Sequence, residues 1–275
     1  MTSSNEDEAT PVRLSRLERG QQIQRVNDVV ATEEPLEIRV EGRSLAVVMR
    51  TPGHDEELTA GFLLTEGIIQ EASQIFELSV CPSRSEGKGN VADVLLAGVK
   101  MDWDSLTRHV FSGSSCGVCG KATVESVFQK FAPVTADWQV SSELLLGLPE
   151  KLRAAQSTFD QTGGLHASAL FDLEGNLIVL REDVGRHNAL DKVLGYALTS
   201  GMLPLSRCVL MVSGRVSFEI MQKALAGGIP LVAAVSAPSS LGVQFAKGSN
   251  QTLVGFLRGD RMNVYAGRER VTHEG

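Results

Sequence analysis

The chain has 275 residues, 43% of them hydrophobic and 21% charged, enough for one large domain or two modest ones with a buried core. A formal charge of −7 speaks against broad electrostatic binding to nucleic acid or an anionic membrane, though it leaves room for a local basic pocket. The opening MTSSNEDEAT has no apolar signal core, and apolar runs such as Leu231–Val235 are too short to span a bilayer, so a soluble cytoplasmic protein is expected.

Residues 1–20 read as a disordered, solvated tail. Leu36–Val40 and Leu45–Met49 alternate apolar with polar residues around Glu41-Gly42, which predicts a β-hairpin. After Thr51-Pro-Gly-His54, acidic residues 55–57 precede the apolar stripe Leu58, Phe62 and Leu63, the pattern of a helix with negative charge at its N-terminal end. Strands are expected at Ile75–Val80 and Val91–Ala97, joined by the polar stretch 82–90. A glycine- and serine-rich loop, Ser112–Gly120, comes next, then a short helix over Lys121–Phe131 and one helix over Ser141–Phe159. Beyond it, Ala167–Asp172 and Leu177–Arg181 pair around Glu174–Asn176. Helices at Arg186–Leu198, Phe218–Leu225 and Leu241–Lys247 alternate with strands at Cys208–Ser213, Leu231–Ser236 and Thr252–Leu257. That alternation predicts a largely parallel sheet covered by helices. The fold class is thus α/β, or α+β overall. The division is a tail at 1–20, a small α+β domain at 21–135 with the cysteine loop near its end, and an open α/β sheet domain at 136–275.

Four cysteines in a chain this long do not make a disulfide scaffold. Cys81 and Cys208 are isolated and read as packing residues, whereas Cys116 and Cys119 form a C-x-x-C. Two such thiols can exchange a disulfide, share a metal or hand on a sulfur atom, in each case as thiolates. A helix starting near Lys121 would lower their pKa. Zinc needs about four ligands; His109 is a third candidate and no fourth stands out, so no structural metal is expected. A thioredoxin-like pair belongs after a strand in a β-α-β unit, which this loop does not follow. A carrier thiol fits the small flanking residues best. The loop is not a phosphate-binding P-loop, since Ala122 follows Lys121, and no G-x-G-x-x-G follows a strand.

Polar residues recur at the turns of the C-terminal half. His166 follows Gly163-Gly164; alone it reads as an interior hydrogen-bonding residue. Eight of the twelve residues in Arg181–Lys192 are charged, His or Asn, which favours a ligand site over a solvated face. Arg186, His187, Asn188 and Lys192 fall near a helix start, where phosphate binds readily, with Asp183 as a capping residue in the blander reading. Ser213-Gly-Arg215, Ser236–Ser240 and Gly255-Phe256-Leu257-Arg258-Gly259-Asp260 each follow a strand, the carboxyl-end position at which α/β sheets bind ligands. Several such turns on one edge point to a phosphate-bearing ligand.

The runs TPGHDEELTAGFLLTEGII, SSCGVCG, TGGLHASALFD, REDVGRHNALDKVLG, SGRVSFEIMQKAL, GIPLVAAVSAPSSL and TLVGFLRGDRMNVYAG together resemble the FdhD/NarQ family of formate dehydrogenase accessory proteins, from about Val26 onward. The resemblance implies a sulfurtransferase that takes persulfide sulfur from a cysteine desulfurase. It would pass that sulfur to the molybdenum (or tungsten) bis-guanine-dinucleotide pterin cofactor before insertion into formate dehydrogenase. On the same ground Cys116 would carry the persulfide with Cys119 assisting, and Gly255–Asp260 would hold the cofactor, of which a guanine nucleotide is a mimic. His166, Arg186, His187, Asn188, Ser213 and Arg215 would complete the pocket, and a homodimer is implied. The resemblance further implies a cytidine deaminase-like C-terminal fold. Deaminase chemistry is not expected, because the H-x-E followed by P-C-x-x-C is missing: Ala167 and Ser168 follow His166. A cofactor chaperone that moves no sulfur, and a zinc module using His109, Cys116 and Cys119, are the competing readings.

Overall fold

The computed structural model describes residues 8–81, 90–101, 103 and 130–273. It opens on a strand. β1 (Ala9–Arg16) pairs antiparallel with β2 (Gln24–Ala31), with Ala9 opposite Ala31 and Arg16 opposite Gln24. Residues 9–16 are therefore not the expected tail. Val12 and Leu14 alternate with polar neighbours at the strand period and meet Asp28 and Val26 across the ribbon, a signal masked by the polar composition around them.

β3 (Glu34–Val40) and β4 (Arg43–Arg50) form the predicted hairpin. Its turn places Glu41 and Gly42 at φ 51 and 73, the left-handed pair that a two-residue hairpin uses. β5 (Ile75–Cys81) and β6 (Val91–Leu96) complete a four-stranded sheet in the order β4-β3-β6-β5. Its inner face, with Leu36, Ile38, Val40, Leu45, Ala92 and Val94 buried, belongs to the same apolar cluster as Leu58, Leu63 and Leu64 of α1 (Asp55–Thr65).

After β7 (Val140–Ser141), which pairs with β14 (Val271–Thr272), the expected helix Ser141–Phe159 is two helices. α2 (Ser142–Ala155) is capped by the Ser141 hydroxyl, which accepts from Leu144 N at 3.1 Å. The chain leaves helical geometry at Gln156, and α3 (Ser157–Thr162) begins anew. Glu182 caps that second start from a distant strand, accepting from Thr158 N at 3.0 Å and Phe159 N at 2.9 Å.

The C-terminal sheet has six strands in the order β13-β12-β11-β10-β8-β9. They are β8 (His166–Phe171), β9 (Leu177–Asp183), β10 (Val209–Val212), β11 (Leu231–Ala234), β12 (Thr252–Arg258) and β13 (Arg261–Ala266). Only β10, β11 and β12 are mutually parallel, so the sheet is mixed rather than largely parallel. The short links between β8 and β9 and between β12 and β13 dictate antiparallel neighbours, whereas the parallel strands are separated by helical crossovers. α4 (Arg186–Thr199), α5 (Phe218–Ala226) and α6 (Ser240–Gly248) contribute to one apolar cluster and α2 to the other. Coverage of both faces explains why every residue of β10 and β11 is buried.

The two halves meet through α1 and α4. Each offers a glycine at the crossing: a Cβ on Gly61 would lie 1.9 Å from Asp191 O, and one on Gly195 would lie 1.8 Å from Glu57 O. The backbones thus touch where any side chain would separate them. Two buried ion pairs flank the contact: Lys192 with Asp183 at 2.8 Å, and Lys223 with Asp191 at 2.8 Å, the latter joined by the Thr65 hydroxyl. The buried cluster around this contact runs from Leu36 to Ala266, on both sides of the boundary expected near residue 135.

Candidate functional site at the carboxyl edge of the sheet

Strand direction brings the polar turns together. β10, β11 and β12 end at one edge, and antiparallel β8 begins there, so His166 stands opposite Asp183 at the end of β9. α4 starts three residues later and puts Arg186 and His187 at the same edge.

Ser213 ties the centre of this edge. Its Oγ accepts from Ala167 N at 2.9 Å, and its own N donates to Ala167 O at 3.0 Å. Gly214 then allows a close approach, since a Cβ there would lie 3.2 Å from His166 Nδ1 and 3.6 Å from Arg186 Cδ. His166 is held below the ordinary imidazole range by burial first, and then by the charges of Arg186, His187 and Arg215, with Asp183 opposing. A neutral imidazole among arginines can donate to or accept from a bound ligand. His187 Nε2 lies 2.8 Å from Glu219 Oε2 on α5, and this contact, more than any other, lowers the Glu219 carboxyl. Arg186 Nε and Ser217 Oγ are buried with no hydrogen-bond partner among the described residues. Buried donors in that condition are costly unless something supplies an acceptor.

Asn188 is spent differently. Its Nδ2 donates to Met49 O at 2.7 Å and to Asp183 Oδ1 at 2.9 Å, tying α4 to β4. Asp183, Lys192 and Thr51 complete that tie: Asp183 accepts from Thr51 N and Gly185 N, and Lys192 donates to Thr51 O. Sequence reasoning treated Asp183 as a cap, grouped Lys192 with the phosphate-binding residues and gave Thr51 no part in the site; the structure instead buries Lys192 to 1% exposure against Asp183 and Thr51 O. Glu219 was missed as well, and no local signal marked it.

The far end of the edge is a bulge. The register of β12 against β13 slips between Gly255 and Arg258, and Phe256 sits at φ 52. A non-glycine residue held there stores strain, a feature that concentrates at ligand sites. Phe256 N donates to Ser236 O at 3.0 Å, binding the bulge to the turn after β11. Gly255 is needed for that approach: a Cβ would lie 3.0 Å from Pro238 Cδ and from Tyr265 Cε2. Arg258, Gly259 and Asp260 are exposed, and the Arg258 guanidinium lies 5.6 Å from the Phe256 ring centroid. Leu257 departs from expectation: its side chain is wholly buried in the core and has no surface to offer a ligand. Three strand spacings separate the His166 and Phe256 columns, about 14 Å at ~4.8 Å each.

Cys116, Cys119, Lys121 and His109 lie outside the described residues. Cys208 is buried as expected, its thiol pushed up by burial, but Cys81 is exposed at the end of β5 and does not serve packing. Among the described residues no three His, Cys, Asp or Glu side chains are grouped to hold a metal ion, and no helix is long and apolar enough to cross a membrane. A cleft of about 450 Å³ opens at the opposite edge, between Leu64, Lys130, Phe131, Pro204 and Gly228, away from the polar turns.

A family model described as the FdhD/NarQ family matches residues 31–272. A Streptomyces avermitilis protein named sulfur carrier protein FdhD is 54% identical over 256 residues, covering 89% of each chain. A Mycobacterium tuberculosis protein of the same name is 51% identical over 254 residues, covering 89% of this chain and 92% of that one. A crystal structure from Desulfotalea psychrophila, assigned as a formate dehydrogenase accessory protein, superposes with a TM-score of 0.76 at 30% identity, covering 96% of this chain and 99% of the other.

Proposed function

Since the chain belongs to the FdhD/NarQ family, we propose that it is a sulfur carrier for formate dehydrogenase, loading sulfur at Cys116 and binding the acceptor cofactor at the carboxyl edge of the C-terminal sheet. The observation that carries the reading is that edge. Arg186, Arg215 and a half-buried His166 gather at one end of it, and a strained backbone bulge at Phe256 lies about 14 Å away. One phosphate needs a single station; a pterin dinucleotide, long and doubly anionic, suits two. Buried donors without partners at Arg186 and Ser217 suit the same ligand.

The sulfur chemistry balances within the chain. The Cys116 thiolate attacks the terminal sulfur of a desulfurase persulfide. A new S–S bond forms, the old one breaks, and the desulfurase cysteine leaves as a thiolate. Release of that sulfur as sulfide takes two electrons. Cys119 supplies them by attacking the Cys116 sulfur, so the products are a Cys116–Cys119 disulfide and hydrosulfide at the acceptor. A lone cysteine would need an outside reductant at this step. The molybdenum or tungsten cofactor is the substrate here, and the residues of the edge hold and orient it.

Intact-protein mass spectrometry after incubation with a cysteine desulfurase and cysteine tests the loading step. The expected result is a reductant-labile gain of one sulfur that Cys116→Ala abolishes and Cys119→Ala retains. A wild-type protein that gains nothing from an active desulfurase would leave a cofactor chaperone as the function. Binding is tested separately with GDP. Arg186→Ala removes a charged donor worth about 1.5–3 kcal/mol, so affinity is expected to fall roughly 10- to 150-fold. Cys116→Ala is expected to bind GDP as wild type does.

A further inference from the structure

The edge that gathers Arg186, Arg215, His166 and His187 also holds one group of the wrong sign for an anion. Glu219, the second residue of α5, brings a carboxylate into this cluster. Contact with His187 holds it below the ordinary carboxylate range against the opposing effect of burial, and the charges of Lys223 and Arg186 add to that, so it is ionised at neutral pH. Its Oε2 lies 2.8 Å from His187 Nε2; the side chain is half exposed, and Oε1 has no partner among the described residues. The neighbouring carboxylates are spent elsewhere. Asp183 serves Thr51, Gly185, Asn188 and Lys192, and Glu182 caps the start of α3.

A phosphate brought against Glu219 meets like charge, which is unfavourable. The carboxylate is suited instead to a part of the ligand that offers N–H groups, because an ionised carboxyl only accepts, through two oxygens. Donors without partners stand beside it. Ser217 is the N-cap of α5, yet its side chain accepts nothing from the first turn, and its hydroxyl is buried with no partner. Arg186 Nε, whose guanidinium is close enough to lower the Glu219 carboxyl, is in the same condition. One free acceptor oxygen, one shared with His187, and two unused donors thus face the same end of the edge.

We infer that Glu219 is a specificity-determining residue that reads a 2-amino-4-oxopyrimidine edge. Its carboxylate accepts from the ring N–H and the exocyclic amine, and Ser217 Oγ and Arg186 Nε donate to the carbonyl. Guanine and a pterin ring share this edge. The inference rests on the cofactor reading above and says which chemistry of the cofactor is recognised at this end. His187, reaching across from α4, holds one carboxylate oxygen, so the acceptor is turned before the ligand arrives and less side-chain freedom is lost on binding. A site built to pair with an amine discriminates against the analogue that lacks it, because its own polar group is then left unpaired. Adenine, with a ring acceptor where guanine has an N–H, is rejected for the same reason.

Calorimetric titration of the full chain with GDP, IDP and neopterin tests this; IDP is GDP without the exocyclic amine. Wild type is expected to bind GDP roughly 10- to 150-fold more tightly than IDP, the range of one hydrogen bond to a charged group. Glu219→Gln is expected to lose most of that preference. A role confined to holding His187 would weaken both nucleotides alike and keep the ratio. Ser217→Ala, which removes a donor to the carbonyl that both bases carry, is expected to weaken both by the same factor. Neopterin separates the two sources of the edge. If guanine lies here, Glu219→Gln leaves neopterin binding unchanged; if the pterin lies here, it weakens neopterin and leaves the nucleotide ratio as it was. A nucleotide ratio and a neopterin affinity both unmoved by Glu219→Gln overturn the inference while the cofactor site stands. A wild type that binds neither GDP nor neopterin overturns the site, and the inference with it.

Discussion

Replacing Asp183 by Ala removes the pin between the Thr51 loop and the start of α4. The side chain is fully buried and meets four partners: Lys192 Nζ at 2.8 Å, Gly185 N at 2.8 Å, Asn188 Nδ2 at 2.9 Å and Thr51 N at 3.1 Å. Without it Lys192, 1% exposed, keeps only the carbonyls of Thr51 and Glu182. Stranding one member of a buried ion pair costs about 3–5 kcal/mol. The orphaned amides would add roughly 1–3 kcal/mol each if independent. They share the cavity, and water admitted to it serves all of them, so a total of about 4–6 kcal/mol is expected. In a chain of this size each kcal/mol lowers Tm by about 2–4 °C; calorimetry should show a fall on the order of 10–20 °C. Asp183→Asn with Lys192→Met removes both charges and retains an acceptor for Gly185 N, so it should recover at least half of the loss. A cost below about 1 kcal/mol for Asp183→Ala, the scale of a surface substitution, would refute the reasoning.

Gly195→Ala must part α1 from α4 and is expected to cost about 1–3 kcal/mol. Gly147→Ala, in α2 with nothing within 4 Å, should gain about 0.5–1 kcal/mol; urea titrations of the two together separate crowding from helix propensity. Burial pushes the Glu57 carboxyl up, but the hydrogen bonds from Arg181 and His54 outweigh it and hold the group at about 2. Its contribution is therefore complete above the unfolded value near ~4.3 and drains away as pH falls toward 2. Stability measured against pH should lose about 2–3 kcal/mol across that window in wild type, and Glu57→Gln should flatten this limb; an unchanged limb removes Glu57 as its cause.

Much of the C-terminal half was legible because its strands are short unbroken apolar runs between turn residues, as with Val209–Val212 and Leu231–Ala234. The polar turns after them could be assigned to one edge from strand order alone. What escaped was set at long range. The break at Gln156 depends on Glu182, which caps α3 from another strand. Asp183 looked like a local cap, and its principal partner is a lysine two turns along α4 that also reaches Thr51. Gly61 and Gly195 carry no periodic signature; their purpose shows only when two helices distant in sequence are laid together. The strand at 9–16 was hidden because its alternation is weak and its surroundings polar.

The glycine crossing has a consequence for how the protein is made. α1 ends at Thr65 and α4 at Thr199, so about 130 residues leave the ribosome between them. At ~5–20 residues per second, that interval lasts roughly 7–27 s. Throughout it, Leu58, Leu63 and Leu64, buried in the finished molecule, lack the helix that later lies across them. The N-terminal sheet and α1 are therefore made well before the partner helix, and the close approach at Gly61 and Gly195 is a late step of assembly, formed only once α4 has emerged.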